Sequence, residues 1–105
     1  MTKTIRSILV LAAAVSLAGA VGFAQSAGEA TYKAKCQMCH GATGAPSAGM
    51  AKAMGIKAST DPEIKALTAD QMAAAVKNGK GKMKPIAGLT DAQIKDVVAF
   101  YRGLK

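Results

Sequence analysis

Residues 36 to 40 read Cys36-Gln37-Met38-Cys39-His40, and Gly41 follows at once. Two cysteines three apart, with a histidine directly after the second, form the attachment pattern of a covalently bound c-type haem. On a helical turn the two thiols project to one side and reach the two vinyl groups of a porphyrin, forming thioethers. The next side chain offers an imidazole nitrogen to the iron. Moving His40 by one residue would remove that alignment. The pattern makes Cys36 and Cys39 the covalent anchors of one haem c and His40 a ligand of its iron.

A Cys-x-x-Cys pair alone also suits a thioredoxin-like redox site, a structural disulfide or half of a zinc site. The chain has two cysteines and one histidine in all, so the usual thiolates and imidazoles cannot complete a four-ligand zinc site. A disulfide or dithiol stays open beside the haem reading.

The N-terminus carries Lys3 and Arg6 and then runs apolar and small from Ser7 to Gly22. This is the charged and apolar succession of a secretory leader, and Gly22-Phe23-Ala24 supplies the small residues of a cleavage site. The expected division is a signal peptide over 1–24 and a single mono-haem domain over 25–105. Ala18-Gly19-Ala20 offers an earlier cut. The stretch is short and rich in Ala and Gly for an uncleaved anchor, so no membrane span is expected in the mature form.

Without the leader, 12 Lys and Arg face 6 Asp and Glu, a formal +6. An exported basic protein of this size, expected to be a monomer, favours redox proteins with acidic docking surfaces or anionic membranes. Nucleic acid is excluded as a partner by export and by the absence of an aromatic-rich basic platform. The expected compartment is the periplasm or another exported space, lumen-like if the organism photosynthesises. A core this small is marginal by itself. A large flat prosthetic group would complete it, since Tyr32, Phe100 and Tyr101 are the aromatics left after the leader.

The spacing predicts helices and no strands. Ser26 to His40 reads as one helix with Gly28, Tyr32 and Cys36 on a single face. Gly41 to Gly49 is a loop by composition, and Met50 to Gly55 a short turn of helix. Asp61-Pro62-Glu63 starts a helix that runs to about Ala66. Leu67-Thr68-Ala69-Asp70-Gln71-Met72 and Leu89-Thr90-Asp91-Ala92-Gln93-Ile94 each place a Thr cap, a Gln three later and an apolar staple pair. The helices they open should reach about Asn78 and about Arg102. In the second, Ile94, Val97, Val98, Tyr101 and Leu104 form a buried stripe bordered by Phe100, and Asp91 lies one turn from Lys95 as a surface pair.

Between these helices lies Lys80-Gly81-Lys82-Met83-Lys84-Pro85. A methionine among lysines in a Gly- and Pro-bounded loop lies outside any periodic face, a poor candidate for ordinary core packing and a good one for the second iron ligand. Met50 and Met54 remain rivals that could line a haem wall. Met72 belongs to a staple, and Met38 lies between the cysteines, where it cannot cross to the other face of the ring.

With Cys36, Cys39, His40, Met83 and Pro85 in place, the chain resembles the small class I cytochromes c of bacteria and photosynthetic organisms. The resemblance implies an all-α cytochrome c fold of about four short helices around one covalently bound haem. It also implies crossing first and last helices, with Gly28 and Phe100 at the contact. Cys36 and Cys39 would hold the haem, and His40 and Met83 its iron. The family fixes the proximal imidazole through a carbonyl near a proline; here Pro46 follows His40 closely. No tryptophan is present for a propionate, which leaves Lys52, Lys57, Ser59 and Thr60 as substitutes.

The function expected is that of an exported one-electron carrier rather than an enzyme. Lys77, Lys80, Lys82 and Lys84 around Met83, with Lys33 and Lys35 before Cys36, would steer it onto acidic partners. The alternatives are a haem protein that binds peroxide, oxygen or nitric oxide at a displaceable sixth position, a docked subunit of a larger dehydrogenase or oxidase, and a haem-free thiol module.

Overall fold

The computed structural model describes residues 26–105; the expected leader over 1–24 lies outside the described residues. Six helical segments are present among them and no strand ladder, in agreement with the all-α expectation. We number them α1 (residues 26–35), α2 (Gln37–His40), α3 (Ala48–Met54), α4 (Pro62–Lys65), α5 (Ala69–Asn78) and α6 (Asp91–Arg102).

Two boundaries differ from expectation. The first helix is divided at Cys36, whose φ of −117° departs from helical values, although amide bonds from Cys36 to the Tyr32 carbonyl and from His40 to the Cys36 carbonyl carry the chain through. The third helix begins earlier than its glycine suggested, because the Ser47 hydroxyl accepts from the Met50 amide at 3.2 Å and caps it. The short fourth helix follows its sequence signal: Asp61 accepts from the Glu63 amide at 2.9 Å, with Pro62 in the first turn.

Both capping boxes form. The Thr68 hydroxyl accepts from the Gln71 amide at 3.1 Å while the Gln71 side chain accepts from the Thr68 amide at 2.9 Å, and Thr90 and Gln93 repeat the exchange at 3.1 and 2.8 Å. These reciprocal bonds satisfy amides at each helix start that have no intrahelical partner. They fix where α5 and α6 begin, and with it which of their side chains face each other.

Helices α5 and α6 pack together, burying Met72, Val76, Ile94 and Val98 as one cluster, with Leu67 and Leu89 packed onto it as the staples require. A second cluster joins Tyr32 and Cys36 to Val97. Among the described residues Tyr101 is the side chain that packs against both. The expected crossing of first and last helices is present at Gly28. A β-carbon there would lie 2.3 Å from the Asp96 carbonyl oxygen and 2.9 Å from the Phe100 β-carbon. The missing side chain lets α1 sit directly on the backbone of α6.

The surface pairing also differs in one place. The Asp91 carboxylate pairs with Lys77 of α5 at 3.6 Å and not with Lys95, since the tight approach of α5 to α6 brings Lys77 to it across the helix junction.

Candidate functional site

The site begins at the break between α1 and α2. Tyr32 is buried to 1% exposure, and its hydroxyl donates to the Gly41 carbonyl at 2.5 Å, fixing the residue just after His40. Gly41 has φ +82°, and a β-carbon there would lie 2.1 Å from the Ala45 carbonyl oxygen. Glycine therefore permits the chain to fold back over itself directly behind the histidine.

Cys36 is buried, Cys39 half-buried, and both thiols are free. Burial pushes the Cys36 thiol up, and the neighbouring Cys39 adds to the effect, so the neutral form of Cys36 is favoured. Among the described residues no three of His, Cys, Asp and Glu gather as a metal cluster, which removes support from a zinc site.

His40 stands edge-on to Tyr101, with ring centroids 5.5 Å apart. Burial holds its imidazole below the usual histidine range, leaving the ring neutral and able to donate a lone pair to a metal. Its Nδ1 is buried without a hydrogen-bond partner, so no carbonyl near Pro46 serves it, in keeping with the short interval between Pro46 and His40; the Ala45 carbonyl is turned over Gly41 instead.

Met83 is half-buried and packs against the α5–α6 cluster, contrary to the expectation that a loop methionine would stand apart from the core. The reason is local. The Lys80 and Met83 amides each donate to the other's carbonyl at 2.9 Å, and the Ile86 amide donates to Val76 at 2.9 Å, folding the loop back onto α5. Of the rivals, Met72 is a core residue, Met38 is 88% exposed, and Met50 and Met54 are half-buried on α3.

A cavity of about 280 Å³ is lined by Met72, Tyr101, Ser59, Lys65 and Arg102. None of Cys36, Cys39, His40 and Met83 lines it; Tyr101, which does, touches His40, and Met72 belongs to the cluster on which Met83 rests. The rim is polar. Ser59 is drawn there by its amide bond to the Gly44 carbonyl at 2.9 Å, whereas Lys57 is paired with Glu63 and Lys52 and Thr60 are exposed. Two free thiols, a half-buried neutral imidazole with an orphaned nitrogen, and a cavity that sets Met72 and Tyr101 beside Ser59, Lys65 and Arg102 suit a flat apolar ring that bears carboxylates.

Sequence reasoning missed three features of the site. Tyr101 was legible only as a stripe residue, and nothing local marked Lys65 or Arg102 as lining a cavity. Asp91, outside the Lys77 to Lys84 run, pairs with Lys77 through space, which the sequence did not mark.

Comparison with known proteins gives a consistent result. Residues 23–100 match the family described as cytochrome C oxidase, cbb3-type, subunit III. Cytochrome c-555 of Chlorobaculum tepidum is 34% identical, covering 98% of this chain and 97% of the relative. Cytochrome c-555 of Chlorobaculum thiosulfatiphilum is 40% identical over 74% of this chain and 93% of its own length. A solved structure titled KustC0563 c-type cytochrome matches with a TM-score of 0.66 at 27% identity, over 74% of this chain and 96% of that one. Sequence and architecture agree: the chain belongs to the cytochrome c family, as a small mono-haem class I member with covalently bound haem c.

Proposed function

We propose that this cytochrome is an exported one-electron carrier, with Cys36 and Cys39 as the thioether anchors and His40 and Met83 as the two iron ligands. When bound, the haem supplies reversible exchange of one electron between the ferric and ferrous states. The observation that carries the reading is the shared apolar body behind the two ligands: Tyr101 abuts His40 and packs on the cluster that supports Met83.

Each residue has a distinct task. His40, neutral through burial, presents a nitrogen donor, and the Tyr101 ring restricts its rotation. Met83 offers a soft thioether, which favours the reduced metal. Met72 and Tyr101 would offer the ring an apolar contact, while Ser59, Lys65 and Arg102 suit its carboxylates. With His40 and Met83 both holding the iron, small molecules would have no open place to bind, and the protein's contribution would reduce to rigidity and docking.

The absorption spectrum of the ferric holoprotein tests the ligand pair. A low-spin spectrum with the weak band of sulfur ligation is expected, lost in Met83→Ala, which should also bind carbon monoxide rapidly once reduced. A high-spin spectrum in the unmodified protein refutes the pair and favours the ligand-binding alternative. Haem mass that survives denaturation in the unmodified chain, and loss of stable attachment in Cys36→Ala with Cys39→Ala, tests the anchors.

Docking rests on the lysines. Lys33 pairs with Glu29 at 3.1 Å and Lys77 with Asp91, so Lys35, Lys80, Lys82 and Lys84 form the part of the basic set without a carboxylate partner among the described residues. Electron transfer to an acidic partner should slow as salt is added. A rate indifferent to ionic strength refutes steering.

The family description, which names an oxidase subunit, favours a second reading in which the chain is docked in a larger complex. Purification of the native protein as a monomer free of oxidase subunits would dismiss it.

A further inference from the structure

The loop that carries Met83 is fastened at both of its ends but not, by its backbone, at its tip. The reciprocal bonds of Lys80 and Met83 close a tight turn around Gly81 and Lys82, with Gly81 at φ +58°. The Ile86 amide secures the outgoing strand of chain to Val76. From the tip, the Lys82 ammonium reaches across 29 positions of sequence and donates to the Ala53 carbonyl at 3.0 Å. Among the described residues it makes the side-chain hydrogen bond that joins residues 79–86 to another part of the fold.

Its acceptor is well suited to a cation. Ala53 lies in the last turn of α3, whose carbonyls have no amide partner within the helix and carry the negative end of its dipole. The neighbouring lysines differ: the side chains of Lys80 and Lys84 have no hydrogen-bond or ion-pair partner among the described residues. One lysine of the run is thus structural, while its neighbours are free for docking.

We propose that Lys82 is a positioning residue, a latch that holds the Met83 loop closed against α3 and so keeps the thioether in place. The proposal rests on the assignment of Met83 as a ligand. The latch lowers the population of the open loop, in which the sulfur is withdrawn and a solvent-borne ligand can take its position. Lys82 touches neither metal nor ring; it acts through the turn it belongs to.

The test uses the ferric holoprotein and its Lys82→Ala, Lys82→Arg and Lys84→Ala variants. Two rates are read: displacement of the sulfur ligand by saturating imidazole, and hydrogen exchange of the Lys80 and Met83 amides. One net hydrogen bond removed should speed both about fivefold in Lys82→Ala. Lys84→Ala, which removes the same charge from the same loop, should leave both within about twofold of the parent, because a solvated side chain is lost. Lys82→Arg should restore most of the closure, since a guanidinium also donates to a carbonyl.

Equal rates in Lys82→Ala and Lys84→Ala overturn the latch. Faster amide exchange in Lys82→Ala, in a protein whose ferric spectrum lacks sulfur ligation from the start, would uphold the latch and overturn Met83 as its cargo.

Discussion

Replacing Gly28 by alanine isolates the contact on which the helix crossing depends. The added β-carbon would stand 2.3 Å from the Asp96 carbonyl oxygen and 2.8 Å from its carbon, both backbone atoms that no side-chain rotation can remove. Ordinary contact begins near 3.4 Å, so α1 must retreat from α6 by about 1 Å. That retreat loosens Tyr32 from Phe100, whose ring centroids are 5.3 Å apart, and Tyr32 from Val97. Overpacking of this kind costs about 1–3 kcal/mol, and the absence of any yielding side chain places Gly28 in the upper part of that range. Alanine regains about 1 kcal/mol of helix propensity over glycine. The net expectation is a loss of about 1–2 kcal/mol.

Urea denaturation of the holoprotein, followed by far-ultraviolet circular dichroism, should therefore show a midpoint lower by about 1 M, taking a slope of about 1–2 kcal/mol/M for a domain of this size. Gly49→Ala in α3 is the matched control. Its β-carbon would meet nothing within 4 Å, so the same substitution should leave stability unchanged or raised. Should Gly28→Ala prove as stable as the parent, the inference of direct backbone contact between the first and last helices is wrong.

Further outcomes follow from the same geometry. Burial raises Tyr32 from 10.0 to about 12, so the folded state holds its proton more tightly than the unfolded chain; the stability this confers is full below about pH 10 and is lost as pH rises toward 12. Tyr32→Phe should flatten that alkaline decline in urea midpoint relative to the parent, and parallel curves would refute it. Thr90→Ala removes the hydroxyl that accepts from the Gln93 amide and should cost about 1 kcal/mol by the same denaturation assay. Thr90→Ser should recover most of that loss.

The elements legible in the sequence were those whose cause is local. A cap and its partner lie three residues apart, so Thr68 with Gln71 and Thr90 with Gln93 announced α5 and α6 directly. The stripe Ile94, Val97, Val98 and the spacing of Gly28, Tyr32 and Cys36 gave the buried faces for the same reason. What escaped depends on folding distant parts together. Ser47 was obscured by Pro46 and Gly49 on either side, although a serine before a helical run is a cap signal. Asp91 had two lysines within reach, and only the docking of α5 on α6 selects Lys77. No pattern along the chain pairs Lys82 with Ala53 or His40 with Tyr101, because these contacts exist only after the loops have closed.

Tyr101 leaves the molecule with little mechanical isolation around its imidazole. The ring that leans on His40 is wedged at the seam of two small apolar bodies, one built on α1 and the other on α5. A substitution that tilts either body therefore transmits part of that tilt to the histidine plane. On the proposed ligation by His40, the reduction potential should consequently register distant repacking, so that variants selected for thermal robustness alone would also be found retuned as electron carriers.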